Sequence, residues 1–277
     1  IMRNPTEPIK NPDGSWYENM SINYYMNPVE LLYEHTGEYK VENTRLTGNV
    51  TFEPIKGWQT NLTLSTDRSN AHDEGYYTSN HFNQKTDYLT GRAEHSYAYN
   101  KTDNLASTYK HHWGSHRFEG LVGYSYQYDE YEGFYANNTN FMSDFYQYFN
   151  LGVGQYLKEG KAGMGSGKED SKLIGFFGRV SYGYADRYNV LVSLRHEGSS
   201  RFGDNHKWGT FPSASLGWTI SNEKFMKQFT WLDNLKLRAG FGVTGVIPYS
   251  NYLSKTIWKL GTSYFYDNGT WKQGLAV

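Results

Sequence analysis

Four runs between Leu173 and Thr244 decide the fold: residues 173–188 read LIGFFGRVSYGYADRY, 189–203 read NVLVSLRHEGSSRFG, 208–220 read WGTFPSASLGWTI and 234–244 read NLKLRAGFGVT. Apolar and polar side chains alternate within each run. Because successive side chains of a β-strand point to opposite faces, a period of two predicts strands with one apolar and one polar face. The central apolar positions include Val180, Val192, Leu216, Leu237 and Phe241.

The spacing between these runs is as informative as the runs themselves. The first two are joined by the tight corner Ala185-Asp186-Arg187, and the next two are separated by a polar, glycine-rich loop from Gly198 to Lys207. Short turns that alternate with longer loops are typical of outer-membrane β-barrels. Aromatic side chains at the strand ends favour that fold over a soluble sandwich, because such girdles lie where lipid meets water. They are Tyr182, Tyr184, Tyr188, Trp208 and Trp218.

Upstream, the same alternation recurs in a hairpin after Glu42 and in a strand after Phe118. The turn at Pro54-Ile55-Lys56-Gly57 is short, and Asn27-Pro28 is typical of the first turn of a short helix. The whole chain therefore predicts an all-β fold, an antiparallel up-and-down transmembrane β-barrel to which it contributes about eight strands, with long extracellular loops.

The composition is consistent with a barrel wall. Of the 277 residues, 18% are aromatic and only 38% are hydrophobic, and the net charge is −1. A barrel needs apolar residues only at alternate positions, whereas a soluble domain this polar would have a thin core. With no basic cluster and no cysteine, we expect no nucleic acid partner and no disulfide or thiolate metal site. No apolar run reaches the length of a membrane helix, so any spanning would be by strands.

Several motifs in the same stretch are specific enough to indicate a family. In order, they are Gly178–Tyr182, Ala185–Tyr188, Ser193–Arg195, Gly198–Gly203, Trp208–Ser213, Gly217–Ser221, Glu223–Lys227 and Leu235–Gly245. This succession resembles the late barrel strands of SusC-like (SusC/RagA family) TonB-dependent outer-membrane transporters. Upstream the similarity is looser. Two departures, His196-Glu197 and Val246-Ile247-Pro248, fall on the loop side of the predicted strands.

The resemblance implies a function for the barrel. Residues 1–277 would form part of a TonB-dependent receptor barrel domain, with residues 173–245 as the best-matching segment and the plug domain absent from this sequence. The implied function is active import of glycans (oligosaccharides) or peptides across the outer membrane of a Gram-negative, Bacteroidetes-like cell. The implied partners are a SusD-like surface lipoprotein, the TonB complex acting through the plug domain, and outer-membrane lipid.

Two long polar segments are predicted to be extracellular loops. Residues 67–102 are interpreted as a loop with a small hairpin at Tyr88–Tyr99, and residues 129–170 as the longest loop. Aromatic rings in the second segment have the chemistry to stack on sugar rings or peptide side chains. The candidate substrate-binding residues are Tyr131, Phe134, Tyr135, Phe145, Tyr146 and Tyr148. Loop packing and a docking surface for a partner protein are alternative roles for them.

Charged residues at the polar positions of the strands are expected to face the lumen. A charge that faces lipid costs about 2–4 kcal/mol at the midplane of the bilayer. The predicted lumen-facing charges are Arg45, Glu53, Glu119, Arg179, Arg195, Lys236 and Arg238. They either pair with one another as part of the wall or line the path of the substrate.

Motifs for catalysis or cofactor binding are weak. Gly163–Lys168 lacks the first glycine and the final serine or threonine of a phosphate-binding loop, and is interpreted as a flexible loop tip. His111, His112 and His116 are on strands or beside a turn and do not form a convincing metal site. We therefore expect no enzyme activity and no cofactor. Three alternatives remain: a passive porin, a siderophore-type TonB-dependent receptor, and a soluble β-rich carbohydrate-binding module.

Overall fold

The structure is a computed structural model of the chain. It describes residues 6–19, 26–82, 91–229, 231–256, 259–268 and 270–276. No helix in these ranges has both the length and the apolar character needed to cross a bilayer.

Eight strands form one sheet in the order β1-β2-β3-β4-β5-β6-β7-β8, so that each strand pairs with its neighbours in sequence and β1 and β8 are the edges. The strands are antiparallel, which confirms the up-and-down topology and the expected strand number. Their bounds are β1 His35–Ile55, β2 Trp58–Tyr77, β3 Gly91–Trp113, β4 His116–Asn138, β5 Gly163–Tyr184, β6 Tyr188–Ser199, β7 Trp208–Thr219 and β8 Lys236–Gly242. A separate two-stranded sheet contains β9 and β10, at Lys259–Asp267 and Thr270–Ala276.

The helices are short. The helix α1 spans Pro28–Tyr33, and its capping is as the sequence predicts: Asn27 accepts a hydrogen bond from the backbone N–H of Val29, and Pro28 occupies the first helical position. In the part of the chain that the structure describes, four 3₁₀ helices lie in the connections between strands. They span Gln147–Val153, Gln155–Leu157, Ile220–Asn222 and Lys224–Met226.

The turn between β5 and β6 has the backbone that its position requires. Ala185 and Asp186 have φ values of 53° and 56°. Positive φ at both central residues is the mark of a type I′ hairpin, whose twist matches that of the flanking strands. The predicted tight corner is therefore confirmed.

One connection between strands differs from the predicted alternation of short turns and longer loops. Between β7 and β8 the chain forms two 3₁₀ helices, Ile220–Asn222 and Lys224–Met226, instead of a short turn. Glu223 is buried there and accepts hydrogen bonds from Tyr188 Oη at 2.6 Å, Trp218 Nε1 at 3.0 Å and Arg187 Nη1 at 2.8 Å. These contacts join the start of β6 to the end of β7. They also lower the pKa of the Glu223 carboxyl to about 2, because all three donors stabilise its charged form.

The register of β5–β8 separates the two faces of the sheet. Val192 pairs with Val180 on one side and with Ala214 on the other, and Ala214 pairs with Phe241. One position along, Ser193 lies between Arg179 and Ser213. The strands therefore have an unbroken apolar row on one face and a polar row on the other, as the alternation predicts.

Among the residues that the structure describes, no second sheet covers the apolar face. Val192, Leu216 and Leu237 are 50%, 59% and 60% exposed. Within the described residues, the large hydrophobic side chains that are buried are Tyr76 and Phe141. A soluble sandwich would bury its inner faces between two sheets. The exposure of the whole row is instead what a lipid-facing surface requires.

The predicted long loops are wrong in part, because the strands extend well into them. β2 continues to Tyr77 and β3 begins at Gly91, while β4 continues to Asn138 and β5 begins at Gly163. A strand with water on both faces needs no apolar period, so these extensions show no alternation in the sequence. The connection after β4 is reduced to residues 139–162. The predicted hairpin at 88–99 is wrong where it can be compared, since residues 91–99 belong to one strand, and residues 88–90 lie outside the described residues.

The contacts divide the chain into two compact units. Unit 1 contains residues 1–45, 67–99 and 130–169, and unit 2 contains residues 46–66, 100–129 and 170–277. Unit 1 includes α1 and the segment 139–162. Unit 2 includes the rows of β5–β8 described above and the tight turns at Gly57, Gly114 and Ala185.

Candidate functional site

The polar face of unit 2 contains an ion-pair cluster. It includes Glu119 and Arg179, two of the charged residues that are predicted to face the lumen. Glu119 on β4 accepts a hydrogen bond from Arg179 on β5 at 2.8 Å, and Lys110 Nζ on β3 lies 3.6 Å from the same carboxylate. One carboxylate thus joins three neighbouring strands. Pairing of this kind holds the strands in register and balances charge on the polar face.

Arg195 forms a second cluster on the same face. Its guanidinium pairs with Glu197, donates to Ser125 Oγ at 3.3 Å and lies 5.6 Å from the centre of the Phe177 ring. A Cβ at Gly175 would come within 2.8 Å of Arg195 Nη2, so a side chain there would displace the guanidinium from this position. Arg195 is therefore held by an aromatic ring and a carboxylate.

The other four predicted charges lie at separate places along the strands. Arg45 pairs with Asp67 in unit 1, and Glu53 accepts from the backbone N–H of Gly57 at 3.1 Å in unit 2. Lys236 and Arg238 occupy alternate positions of β8, opposite Thr219 and Gly217. These pairings place both β8 residues in the polar rows of the sheet.

Unit 1 contains a cleft of about 500 Å³, here called the tyrosine cleft. Tyrosines and carboxylates from four strands form its walls, and glycines and serines form its base. It is lined by Tyr39, Ala71, Asp73, Glu94, His95, Ser96, Tyr131, Gly133, Phe134, Tyr135, Gly165, Ser166 and Gly167. A concave site with aromatic walls and a few convergent polar groups is the usual form of a ligand-binding site.

Alternate glycines in β5 create the base of the tyrosine cleft. Because side chains of a strand alternate between faces, Gly163, Gly165 and Gly167 leave one face of β5 without side chains. The ring of Tyr135 occupies the space above Gly165, where an added Cβ would come within 2.6 Å of it. In the same way, the Tyr131 hydroxyl lies 3.2 Å from the Cβ position of Gly133. Both tyrosines thus lie against glycines with their rings toward the cleft.

The charges in the tyrosine cleft are acidic. Asp73 on β2 and Glu94 on β3 contribute carboxylates, and the described part of the lining contains no lysine or arginine. His95 also belongs to the lining, and its ring centre lies 4.6 Å from that of His72 and 5.8 Å from that of Phe134. Carboxylates beside tyrosine rings are suited to bind polyhydroxyl compounds, since the carboxylates accept hydrogen bonds while the rings stack.

The opposite face of the same strands has a different composition. Lys168, next to Gly167, lies 3.3 Å from Glu130 and 3.1 Å from Glu132. Lys168 and Glu132 line a second depression. It shares five residues with the tyrosine cleft, namely His95, Gly133, Phe134, Ser166 and Gly167. One face of β4 and β5 therefore has ion pairs, and the other has the bare glycines.

The structure divides the six predicted substrate-binding residues into three groups. Tyr131 and Tyr135 line the tyrosine cleft and lie on β4, not in a loop as predicted. Phe134 is also on β4, but alternation directs its ring to the other face, toward His95. The remaining three are Phe145, Tyr146 and Tyr148 in the segment 139–162, and none of them is among the described lining residues of the cleft.

The segment 139–162 is ordered around one buried amide. Asn138 donates to the carbonyls of Leu151 and Gly154 at 2.7 and 2.8 Å, and its Oδ1 accepts from the N–H of Thr139 and of Leu157. Several aromatic residues of the segment are exposed. Phe145 is 84% exposed and packs edge-on against Tyr146, with 5.5 Å between ring centres. The segment is thus a folded connection that presents aromatic rings to solvent.

A buried aromatic contact fixes the same segment to β2. Tyr76 is fully buried, donates its hydroxyl to Asp144 at 2.8 Å, and packs edge-on against Phe141 at 5.2 Å. Burial and the neighbouring carboxylate raise the pKa of the Tyr76 hydroxyl, so it remains a hydrogen-bond donor.

Three cleft residues, Tyr39, Asp73 and Glu94, are absent from the sequence prediction. They come from β1, β2 and β3, which are far apart in sequence and brought together by sheet register. The alternate glycines of Gly163–Lys168 are the feature of the sequence that indicates this site, because glycine at every second position leaves one face of a strand without side chains. The interpretation of that segment as a loop tip is wrong, since β5 begins at Gly163.

The histidines considered for metal binding have aromatic neighbours. His111 and His116 lie 5.3 and 5.4 Å from the Trp113 ring, and His116 Nδ1 is 2.6 Å from Tyr182 Oη. Over the described ranges, no group of three histidine or acidic side chains is placed to hold a metal ion.

Comparison with known proteins identifies the fold. The family model for TonB dependent receptor-like β-barrels matches residues 3–273. The chain belongs to this family of TonB-dependent receptors. Over 245 residues it is 29% identical to the TonB-dependent receptor SusC of Bacteroides thetaiotaomicron, covering 87% of this chain and 23% of SusC. It is 35% identical over 176 residues to TonB-dependent receptor P39 of Formosa agariphila, covering 64% of this chain and 16% of P39.

Solved structures agree with this assignment. The structure of the RagAB peptide transporter superimposes with a TM-score of 0.75 at 22% identity, over 91% of this chain and 27% of that one. This similarity supports the barrel fold. The TonB-dependent receptor chain described here spans about a quarter of the length of curated relatives such as SusC and, at 25%, receptor P3 of Formosa agariphila.

Proposed function

We propose that the chain forms part of the wall of an outer-membrane transporter that actively imports glycans (oligosaccharides). The observation that carries the proposal is the uncovered apolar row Val180–Val192–Ala214–Phe241, with a polar row beside it. In lipid, the apolar row faces the acyl chains and the charged clusters around Glu119 and Arg195 face the lumen. A transport barrel needs this division of its faces.

The proposal includes the partners that the family assignment favours. A SusD-like surface lipoprotein covers the outer opening, and the TonB complex supplies energy through a plug domain. The cell is Gram-negative and of the Bacteroidetes type, which is supported by relatives from Bacteroides thetaiotaomicron and Formosa agariphila. The protein binds and moves its substrate and makes or breaks no bond.

We propose glycans rather than peptides as the substrate because of the composition of the tyrosine cleft. Tyr39, Tyr131 and Tyr135 provide flat aromatic surface and hydroxyl groups, and Asp73 and Glu94 provide acceptors for sugar hydroxyls. Peptide import is the second candidate, and it is supported by the name of the RagAB peptide transporter, whose similarity to this chain extends to the fold.

Uptake by intact cells tests the proposal. Cells that express the transporter are given a fluorescent oligosaccharide mixture or a fluorescent peptide mixture, with and without a protonophore. We expect oligosaccharide accumulation that the protonophore abolishes, since import through TonB needs an energised inner membrane. Accumulation that persists without energy would indicate a passive porin, and energy-dependent uptake of peptide alone would indicate the second candidate.

Solubility separates the transporter from a soluble carbohydrate-binding module. We expect the protein to sediment with outer membranes and to require detergent for extraction. A chain that stays folded and monodisperse in buffer without detergent would overturn the proposal, because the exposed apolar row would then have no lipid to cover it.

A further inference from the structure

We propose that unit 2 contains a binding site for the oxyanion group, a carboxylate or a sulfate, of an acidic glycan. The site is a depression of about 400 Å³ on the polar face of the sheet, here called the cationic depression. The inference rests on the proposed function, since it specifies the chemistry of a ligand that moves along the polar face. The residues that form the site are Lys110, His112, Arg117, Ser181, Gly183 and Asn189, all of them in unit 2.

The cationic depression lies at the end of the sheet where the tight turns are. The backbone N–H of Ala185 donates to the carbonyl of Ser115 at 2.7 Å, so the β3–β4 turn and the β5–β6 turn are adjacent. Gly183 pairs with Asn189 one residue pair away from the closing pair of the second turn. Residues of four consecutive strands, β3 to β6, are therefore brought together beside these two turns.

Cations outnumber carboxylates in the described lining of the depression. Lys110 and Arg117 are cationic, and Glu119 is the one carboxylate in that lining. This carboxylate already accepts a hydrogen bond from Arg179 at 2.8 Å. Lys110 Nζ lies 3.6 Å from it, which is beyond hydrogen-bonding distance. The ammonium group of Lys110 therefore has donors available for a ligand.

Arg117 presents the part of its guanidinium that binds oxyanions best. Nη1 pairs with Asp186, whose side chain is 70% exposed in the β5–β6 turn. Nε and Nη2 lie over Gly183, where an added Cβ would come within 3.2 and 3.3 Å of them. Nε and one Nη of an arginine donate two parallel hydrogen bonds to a carboxylate or a similar group. Since Gly183 has no side chain, the space beside these two donors is left for a ligand.

Neutral polar groups complete the site. In the part of the chain that the structure describes, the side chains of His112, Ser181 and Asn189 have no hydrogen-bond partner. An imidazole, a hydroxyl and an amide can donate to oxyanion oxygens, and a hydroxyl or amide oxygen also accepts from sugar hydroxyls. Two cations beside such groups favour an acidic sugar over an apolar ligand.

The test uses the protein purified in detergent and isothermal titration calorimetry. The acidic probes are trigalacturonate and sulfated laminaritriose. Their uncharged counterparts are fully methyl-esterified trigalacturonate and laminaritriose, which have the same sugar chains. A tetraglutamate peptide is the polypeptide probe.

Two variants change the site in opposite directions. Arg117→Gln removes the guanidinium. Asp186→Asn removes the carboxylate that competes for it, at a residue whose φ of 56° asparagine adopts readily. The matched control is Lys236→Gln, because it removes one positive charge from a polar row of the same sheet on β8.

We expect the wild type to bind at least one acidic probe about tenfold or more tightly than its uncharged counterpart, since charge-assisted hydrogen bonds form with the charged probe alone. Arg117→Gln should reduce affinity for that acidic probe about fivefold or more. Asp186→Asn should increase it about twofold to fivefold, because exposed ion pairs of this kind contribute up to about 1 kcal/mol. A gain in affinity does not result from misfolding, so this variant decides the question if Arg117→Gln fails to fold. Lys236→Gln should change affinity by less than about twofold, since salt screens exposed charges away from the site.

Three results would overturn the inference. The first is equal affinity of the wild type for acidic probes and their uncharged counterparts. The second is a preference for acidic probes that is the same in Arg117→Gln and Asp186→Asn as in the wild type. The third is tetraglutamate that binds more tightly than both acidic glycans and loses affinity in Arg117→Gln, which would assign the depression to an acidic polypeptide segment.

Uptake by cells is measured in parallel to separate this inference from the proposed function. Energy-dependent glycan import together with calorimetry that shows no preference for acidic glycans would reject the cationic depression alone. Binding of an acidic glycan that depends on Arg117, without energy-dependent import of any glycan, would reject the transport proposal alone.

Discussion

Replacing Val192 by lysine tests which face of the sheet meets lipid, and Leu191→Lys is its matched control. Trp208 and Trp218 are ten positions apart on β7, a rise of about 34 Å at about 3.4 Å per residue. A strand tilt of about 40° reduces this to about 26 Å of height, close to the apolar band of about 25 Å in such barrels. Val192 pairs with Ala214, which lies near the middle of that span.

At that depth a lipid-facing lysine costs about 2–4 kcal/mol, or about 30-fold to 900-fold in the folding equilibrium. Leu191 is adjacent in sequence but lies between Ser181 and Ser215 in a polar row, so lysine there should change stability by about 0.5 kcal/mol or less. The assay is urea-dependent folding into phospholipid vesicles, followed by tryptophan fluorescence. If Leu191→Lys proved as costly as Val192→Lys, or more so, the assignment of the two faces would be refuted.

Three further predictions concern single residues. Because hydrogen bonds lower the pKa of Glu223 from its ordinary 4.5 to about 2, the stability it adds is complete above pH 4.5 and lost as the pH falls through about 2. The melting temperature should therefore fall more steeply with decreasing pH in the wild type than in Glu223→Gln. Parallel plots of melting temperature against pH for the two proteins would contradict this. Gly165→Ala should cost about 1–3 kcal/mol in urea unfolding because its Cβ meets the Tyr135 ring, whereas Gly167→Ala, with nothing within 4 Å, should be tolerated; equal costs would contradict the geometry. Asn138→Ala should speed proteolytic cleavage within residues 139–162, since four hydrogen bonds are lost, and unchanged cleavage would show that the segment is held by other contacts.

The lipid-crossing part of the fold could be predicted from the sequence. In β5–β8 the bilayer requires an apolar side chain at every second position, and this requirement is visible in the sequence as Val180, Val192 and Phe241. The strand ends beyond that region were missed, because water on both faces removes the constraint. Residues 129–138 and 163–170 therefore resembled a polar loop while belonging to β4 and β5.

The candidate site could be predicted only in part. Tyr131 and Tyr135 stood out because aromatic residues are dense in that segment. Asp73 and Glu94 could not be assigned to the same site from the sequence, because their proximity depends on the register between β2 and β3. These parts of the strands have no alternating hydrophobic pattern from which the register could be predicted. The alternate glycines at the start of β5 indicate a face without side chains, but only when the segment is known to be a strand.

The alternation of side chains between the two faces of a strand thus meets two independent requirements in one sheet, contact with lipid and contact with a ligand. Where strands such as β6 cross lipid, the outward side chain must be apolar, so a change such as Val192→Lys should impair insertion. Where β4 and β5 have water on both faces, one face is available for ligand contacts by Tyr131 and the other for ion pairs by Lys168. Charge-removing changes at Asp73 and Glu94 should then alter binding while leaving insertion intact. Changes at these cleft positions should therefore alter ligand binding without changing the residues that hold the barrel in the membrane.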